Sequence, residues 1–171
     1  EVDRAAINIL KHCGEPYELW DFFPSGSDER QFSSQGFKIP MGLLMRTPYT
    51  CFPEYHTSAD DLKFIRPEYL QGSFEKHWLI IKAIENNKKY MNLNPKCEPQ
   101  LGRRGIYRTI GGQRDAKGFE LGVFWVLYLS DNQHDLLEIA EQADMSIELI
   151  GQAAQALHDN GLIKEVKHSE T

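Results

Sequence analysis

The last third of the chain carries the pattern that most restricts what it can fold into. DLLEIAEQA, residues 135–143, repeats apolar side chains at helical spacing and is stopped by Asp144-Met145-Ser146. IELIGQAAQALHDN, residues 147–160, repeats them again over more turns, and Gly161 ends that run. LIKEV follows, short and β-like, while the preceding FELGVFWVLYL is an almost wholly apolar helix that ends at Ser130-Asp131. A short helix, a tight turn, a longer helix and then a β segment is the order of a winged helix-turn-helix, which we assign to residues 115–171.

The first part reads differently. Val2, Ala5, Ala6, Ile9, Leu10 and Cys13 mark an amphipathic helix closed by Gly14. YELWDFF (17–23) and FKIPMGLLM (37–45) read as short strands. Between them, Pro24 and Gly26 mark a loop in which Ser27 or Asp28 would cap a short helix that ends at Gly36. RTPYTCFPEYHTSADDL is a loop entering a helix capped near Thr57 or Ser58. This order suits an α/β sheet, yet two short strands make a poor one. Residues 1–72 are therefore expected to be the last part of a larger α/β domain whose earlier strands lie elsewhere. A long helix over 73–90, with Phe74, Trp78, Ile81, Ile84 and finally Tyr90 along one side, and an ordered irregular segment to residue 114 would complete that domain. IGGQRDAKG, residues 110–118, is the expected boundary.

Charge is divided unevenly. Residues 115–171 hold three basic and eleven acidic side chains, a net of −8, whereas residues 1–114 carry +2. The helix at 147–160 contains no Lys or Arg, so a nucleic-acid partner is disfavoured and protein docking, for example in a homo-oligomer, fits better. No apolar run approaches the ~18 residues of a membrane span. The acidic, amphipathic start lacks the features of a secretory signal. Three widely spaced cysteines form neither a disulfide framework nor a metal knuckle, so a reduced, cytoplasmic protein is expected.

Two polar loops concentrate the chemistry, residues 25–31 and 54–61, each following an apolar strand. In an open α/β sheet that places both on one rim. His56 has Glu54, Asp60 and Asp61 around it, and a carboxylate beside an imidazole orients the ring for metal binding or base chemistry. A loop histidine making ordinary surface or capping hydrogen bonds fits the same spacing. The other histidines lack ligand spacing, and HExxH, GxSxG and P-loop motifs are absent. Against a substrate we place Tyr55 beside His56, Arg46 at a strand end, and Arg104 in the GRRG turn, where a guanidinium fork could meet a carboxylate or phosphate. Structural ion pairing is the alternative for both arginines.

FFPSGSDERQFSSQGFKIPMGLLMRTPYTCFPEYHTSADDL, residues 22–62, closely resembles bacterial aminopeptidase-like proteins, which are similar in turn to co-catalytic zinc aminopeptidases and glutaminyl cyclases. CEPQLGRRGIY at 97–107 and the terminal winged helix resemble the same family, so the likeness covers nearly the whole chain. It implies a zinc-aminopeptidase-like α/β sheet followed by a winged helix, and hydrolysis of an amide or peptide bond with two zinc ions. His56 matches the last metal ligand of a His-Thr-x-x-Asp loop, with Thr57 and Asp60 following. Asp28 matches the Asp of a Ser-Asp-His loop that supports the site without ligating, and Asp60 would be a further support. Glu29 departs from the pattern, standing where the wider clan has His. The remaining ligands and the catalytic Glu belong to an upstream half outside this sequence, the partner this chain would need. A fold of this kind that only binds a ligand or partner is the alternative.

Overall fold

A computed structural model describes residues 1–24, 26–49, 51–106 and 116–166. Six α-helices occupy them: α1 (Val2–His12), α2 (Asp28–Phe32), α3 (Pro67–Glu85), α4 (Ala116–Leu129), α5 (Leu136–Ala143) and α6 (Ile147–Asp159). Three short strands, β1 (Lys89–Asn92), β2 (Asp131–Asp135) and β3 (Ile163–Glu165), form an antiparallel sheet in the order β2-β1-β3.

The winged helix has the expected elements. Asp135 caps α5 reciprocally: its carboxylate accepts from the Glu138 N–H at 2.8 Å, and the Glu138 carboxylate accepts from the Asp135 N–H at 2.8 Å. Asp144 turns in the left-handed region at φ 54°, and the Ser146 hydroxyl accepts from the Leu149 N–H to start α6. Gly161, at φ 65°, reverses the chain into β3. Val123 and Val126 of α4, Leu137 and Ile139 of α5, Ile150 and Leu157 of α6, and Ile163 of β3 are all buried in one core.

Strand β2 was not foreseen, because DNQHD has neither β-branched nor alternating residues; it is held by pairing, Lys89 opposite Asp135 and Met91 opposite Asp131. Strand β1 corrects the expected helix over 73–90. Helix α3 stops at Asn86, whose N–H bonds back to the Lys82 carbonyl, and the chain straightens so that buried Tyr90 pairs opposite Glu165. This sheet therefore draws its central strand from before the expected boundary at 110–118, most of which lies outside the described residues.

The first 66 residues depart furthest from expectation. Neither 17–23 nor 37–45 is a strand, and among the described residues neither joins a sheet; the Ile39 N–H bonds back to the Phe32 carbonyl instead, at 3.0 Å. A strand needs a neighbour for its N–H and C=O groups, and two isolated stretches do not supply one; the second even opens in a turn, with Lys38 at φ 51°. The helix expected from Thr57 or Ser58 is instead a series of turns, and α3 begins later, with Pro67 at its first position.

Helix α1 packs on α3 and along the helix-turn-helix. Buried Asn8 donates to the Met145 carbonyl at 3.0 Å and accepts from the Ile147 N–H at 2.8 Å, so it pins the turn between α5 and α6. Arg4 reaches Glu141 at 2.8 Å and Asp135 at 3.3 Å. The Glu141 hydrogen bond, aided by Asp135 and opposed by partial burial, holds the Arg4 guanidinium above its ordinary value. Burial works to raise Asp135, but the Glu138 N–H, Asn87 and Arg4 outweigh it and hold that carboxyl below the usual range.

Candidate functional site

The two polar loops meet. Gly26 and Ser27 from the first, and Tyr55 from the second, line one open depression of about 440 Å³ with Leu43, Met45 and Tyr49. Ser25 and Thr50 lie outside the described residues. Leu43 and Met45, two apart in sequence, both line it, and Arg46 does not. Among the described residues, no charged side chain lines the depression.

His56 follows Tyr55 in the chain and does not itself line the depression. Its φ of 57° lies in the left-handed region, a costly backbone for a residue with a side chain. The following turn fixes it there: the Thr57 N–H and hydroxyl both donate to the Glu54 carbonyl, at 3.1 and 2.8 Å, and the Ala59 N–H donates to the Thr57 hydroxyl at 3.2 Å. The imidazole is exposed and meets the Tyr55 ring edge to face, centroids 4.1 Å apart. Tyr55 is braced in turn by Tyr49 and Phe52, with centroids at 5.5 and 5.8 Å, and Phe52 stacks on Phe64 at 5.6 Å. An aromatic bracket thus orients the ring.

The first loop is built around Glu29. Its carboxylate folds back to accept from the Ser27 N–H at 2.9 Å, over Gly26, where a Cβ would collide with it. Asp28 begins α2 with an exposed side chain, and no hydrogen bond or ion pair joins it to His56. Asp60 is likewise exposed.

The structure does not bring the two arginines to this place. The Arg46 guanidinium lies over the Tyr69 ring, 5.0 Å from its centroid, in the space that Gly72 leaves open on α3. Arg104 donates to the Asn160 carbonyl at 3.2 Å and so holds the end of α6. Leu43, Met45 and Tyr49 line the depression without having been singled out by the sequence, where Leu43 and Met45 belong to a continuous apolar run. The outward side of α6, with Glu148, Gln152, Gln155 and Asp159 exposed, offers no cation to a phosphate.

With this geometry in place, the relatives can be weighed. Residues 1–87 match the family described as a domain of unknown function, DUF4910. The chain belongs to the DUF4910 family. Residues 88–165 match a winged helix-turn-helix family, in keeping with the helices and sheet above. A Clostridium acetobutylicum protein, named as a candidate polysaccharide biosynthesis protein with an aminopeptidase-like domain, is 50% identical over 166 residues. That stretch is 97% of this chain and 38% of the relative. A crystal structure from the same organism, described as that of a candidate peptidase, superposes with a TM-score of 0.86 at 45% identity over 97% of this chain and 36% of that one. This DUF4910 chain therefore spans little more than a third of the length of either relative. Among its described residues, no helix is long and apolar enough to cross a membrane.

Proposed function

We propose that this chain is the C-terminal portion of a zinc-dependent, aminopeptidase-like hydrolase of amide or peptide bonds, with His56 as one metal ligand. The observation that carries the reading is the convergence of two loops, far apart in sequence, on one depression lined by Tyr55, whose ring meets the exposed imidazole of His56 in its costly backbone conformation. The peptidase-like names of the two longer relatives, and the fold shared with the solved one, support it.

Among the described residues, no three His, Cys, Asp or Glu side chains gather closely enough to hold a metal ion. A zinc site needs three or four ligands, so the described residues alone do not make one. The chain's own residues have narrower tasks. Tyr55 and its aromatic neighbours aim the His56 ring, while Leu43, Met45 and Tyr49 offer an apolar wall to an uncharged part of the substrate. Asp28 and Asp60 place negative charge on the two loops. The other ligands would come from the upstream half, which would also supply strand partners for residues 17–23 and 37–45. The winged helix would serve docking.

The test uses the full-length protein: zinc content by mass spectrometry, and hydrolysis of aminoacyl amides, for wild type and His56→Ala. Lower zinc content and lost hydrolysis in the variant are expected; unchanged zinc content removes His56 from the site. A purely binding role is the second reading, favoured by the lack of any carboxylate hydrogen-bonded to His56 within the described residues. Retained zinc and ligand affinity with no amide hydrolysis by the wild type would select it.

A further inference from the structure

Helix α1 touches two different parts of the molecule. Toward the winged helix it is held by polar groups. Arg4 pairs with Asp135, Glu138 and Glu141, Lys11 pairs with Asp144, and Asn8 bonds both the Met145 carbonyl and the Ile147 N–H. Residues 4, 8 and 11 recur at helical spacing, so one face of α1 is fastened along most of its length. Ala5 and Ile9 are buried in the core that α5 and α6 also build.

Toward the candidate site, α1 meets the chain that walls the depression. The Asp3 carboxylate lies 3.7 Å from where a side chain on Gly42 would begin, and Leu44 packs against the core to which Ala5 and Ile9 belong. Leu43 and Met45, on either side of Leu44, line the depression. Arg46 ties the end of this stretch to α3, over the Tyr69 ring. Among the described residues, 37–45 joins no sheet, so side-chain anchors rather than a hydrogen-bonded ladder fix its course.

We propose that α1 is the strut through which the winged helix sets the wall formed by Leu43 and Met45, with Leu44 and Arg46 as its positioning residues. A helix moves as one body and a close-packed core passes displacement on, so loosening the face at Arg4 and Asn8 shifts the surface on which Leu44 rests. The terminal module then has a task inside its own chain. What the wall does for a substrate rests on the hydrolase reading above; the mechanical link does not.

The test uses the full-length protein carrying isotopically methyl-labelled methionine, read by NMR, with the Met45 and Met145 signals assigned by Leu substitutions. Met145 reports on the joint and Met45 on the wall. Asn8→Ala and the milder Glu141→Gln should shift both signals, and Arg4→Lys should shift Met45 less than Arg4→Gln. Leu157→Val, in the core at the far end of α6 from the turn that Asn8 pins, should leave Met45 in place. With Leu44→Ala present, Glu141→Gln should no longer move Met45. For hydrolysis of an aminoacyl amide, Glu141→Gln should raise KM about threefold with kcat nearly unchanged, since the wall holds substrate and transition state alike. A shifted Met45 in a protein that hydrolyses nothing removes the hydrolase reading and leaves the strut standing. Met45 unmoved while Met145 moves overturns the strut, as does an equal Met45 shift in Leu157→Val.

Discussion

The two halves of this chain are comparably apolar in sequence and opposite in what they do with it. In the winged helix, Val123, Leu137, Ile150 and Leu157 are fully buried within one short stretch of chain. In the first 66 residues, Phe23 is 71% exposed, Trp20 65% and Leu62 91%, and the apolar side of α3 (Leu70, Phe74, Trp78, Ile81) is open as well. Local helices that meet across a tight turn close their own core. Extended segments cannot, because their backbone groups and both faces call for neighbours that are distant in sequence. The winged helix thus closes its core locally, with α1 and α3 adding Ala5, Ile9, Ile80 and Ala83 to it, while much of the apolar surface of the first part stays open.

The largest test of that contrast is in the core of the closed half. Leu137→Ala should cost about 2–5 kcal/mol, read from urea unfolding of this chain. Phe23→Ala in the same chain should change stability by no more than about 0.5 kcal/mol, whereas in the full-length protein it should cost about 3–5 kcal/mol. Equal losses in both settings would erase the distinction.

Next in size is the joint between the halves. Asn8→Ala leaves the Ile147 N–H and the Met145 carbonyl without their partner and should destabilise the chain by about 1–3 kcal/mol. An effect confined to α1, with amide exchange in α5 and α6 unchanged, would show that the winged helix does not depend on the docked helix.

The smallest expected effect is that of acid on the Arg4 cluster. Asp135 is held below its ordinary value in the folded chain, so the folded state binds its proton less readily than the unfolded state does. Its contribution is complete above the ordinary carboxylate value of roughly 4 and is lost as pH falls through the lower folded-state value. Urea midpoints over an acid titration should fall less steeply in Asp135→Asn than in the wild type; parallel curves would remove Asp135 from the linkage.

Legibility in sequence follows the same division. Helices α4, α5 and α6 and strand β3 were readable because their apolar period, the Asp135 and Ser146 caps and Gly161 all agree locally. Strand β2 was not, since its structure comes from pairing with β1. The apolar runs at 17–23 and 37–45 were legible as β-prone, but no strand partner for them lies among the described residues, and a strand exists only with one. At the site, the resemblance singled out His56, and the structure supplies what spacing could not: the meeting of Tyr55 with Gly26 and Ser27. Arg46 and Arg104 illustrate the converse, because a loop arginine reads alike whether it meets a substrate, stacks on Tyr69 or bonds the Asn160 carbonyl.

The central claim is that the His56 imidazole ligates zinc in the longer protein. Anomalous diffraction at the zinc edge, on crystals of the full-length protein, tests it directly. The account predicts a zinc peak about 2.0–2.1 Å from a His56 ring nitrogen, lost or displaced in His56→Ala. A fully occupied zinc site out of reach of that ring would contradict it.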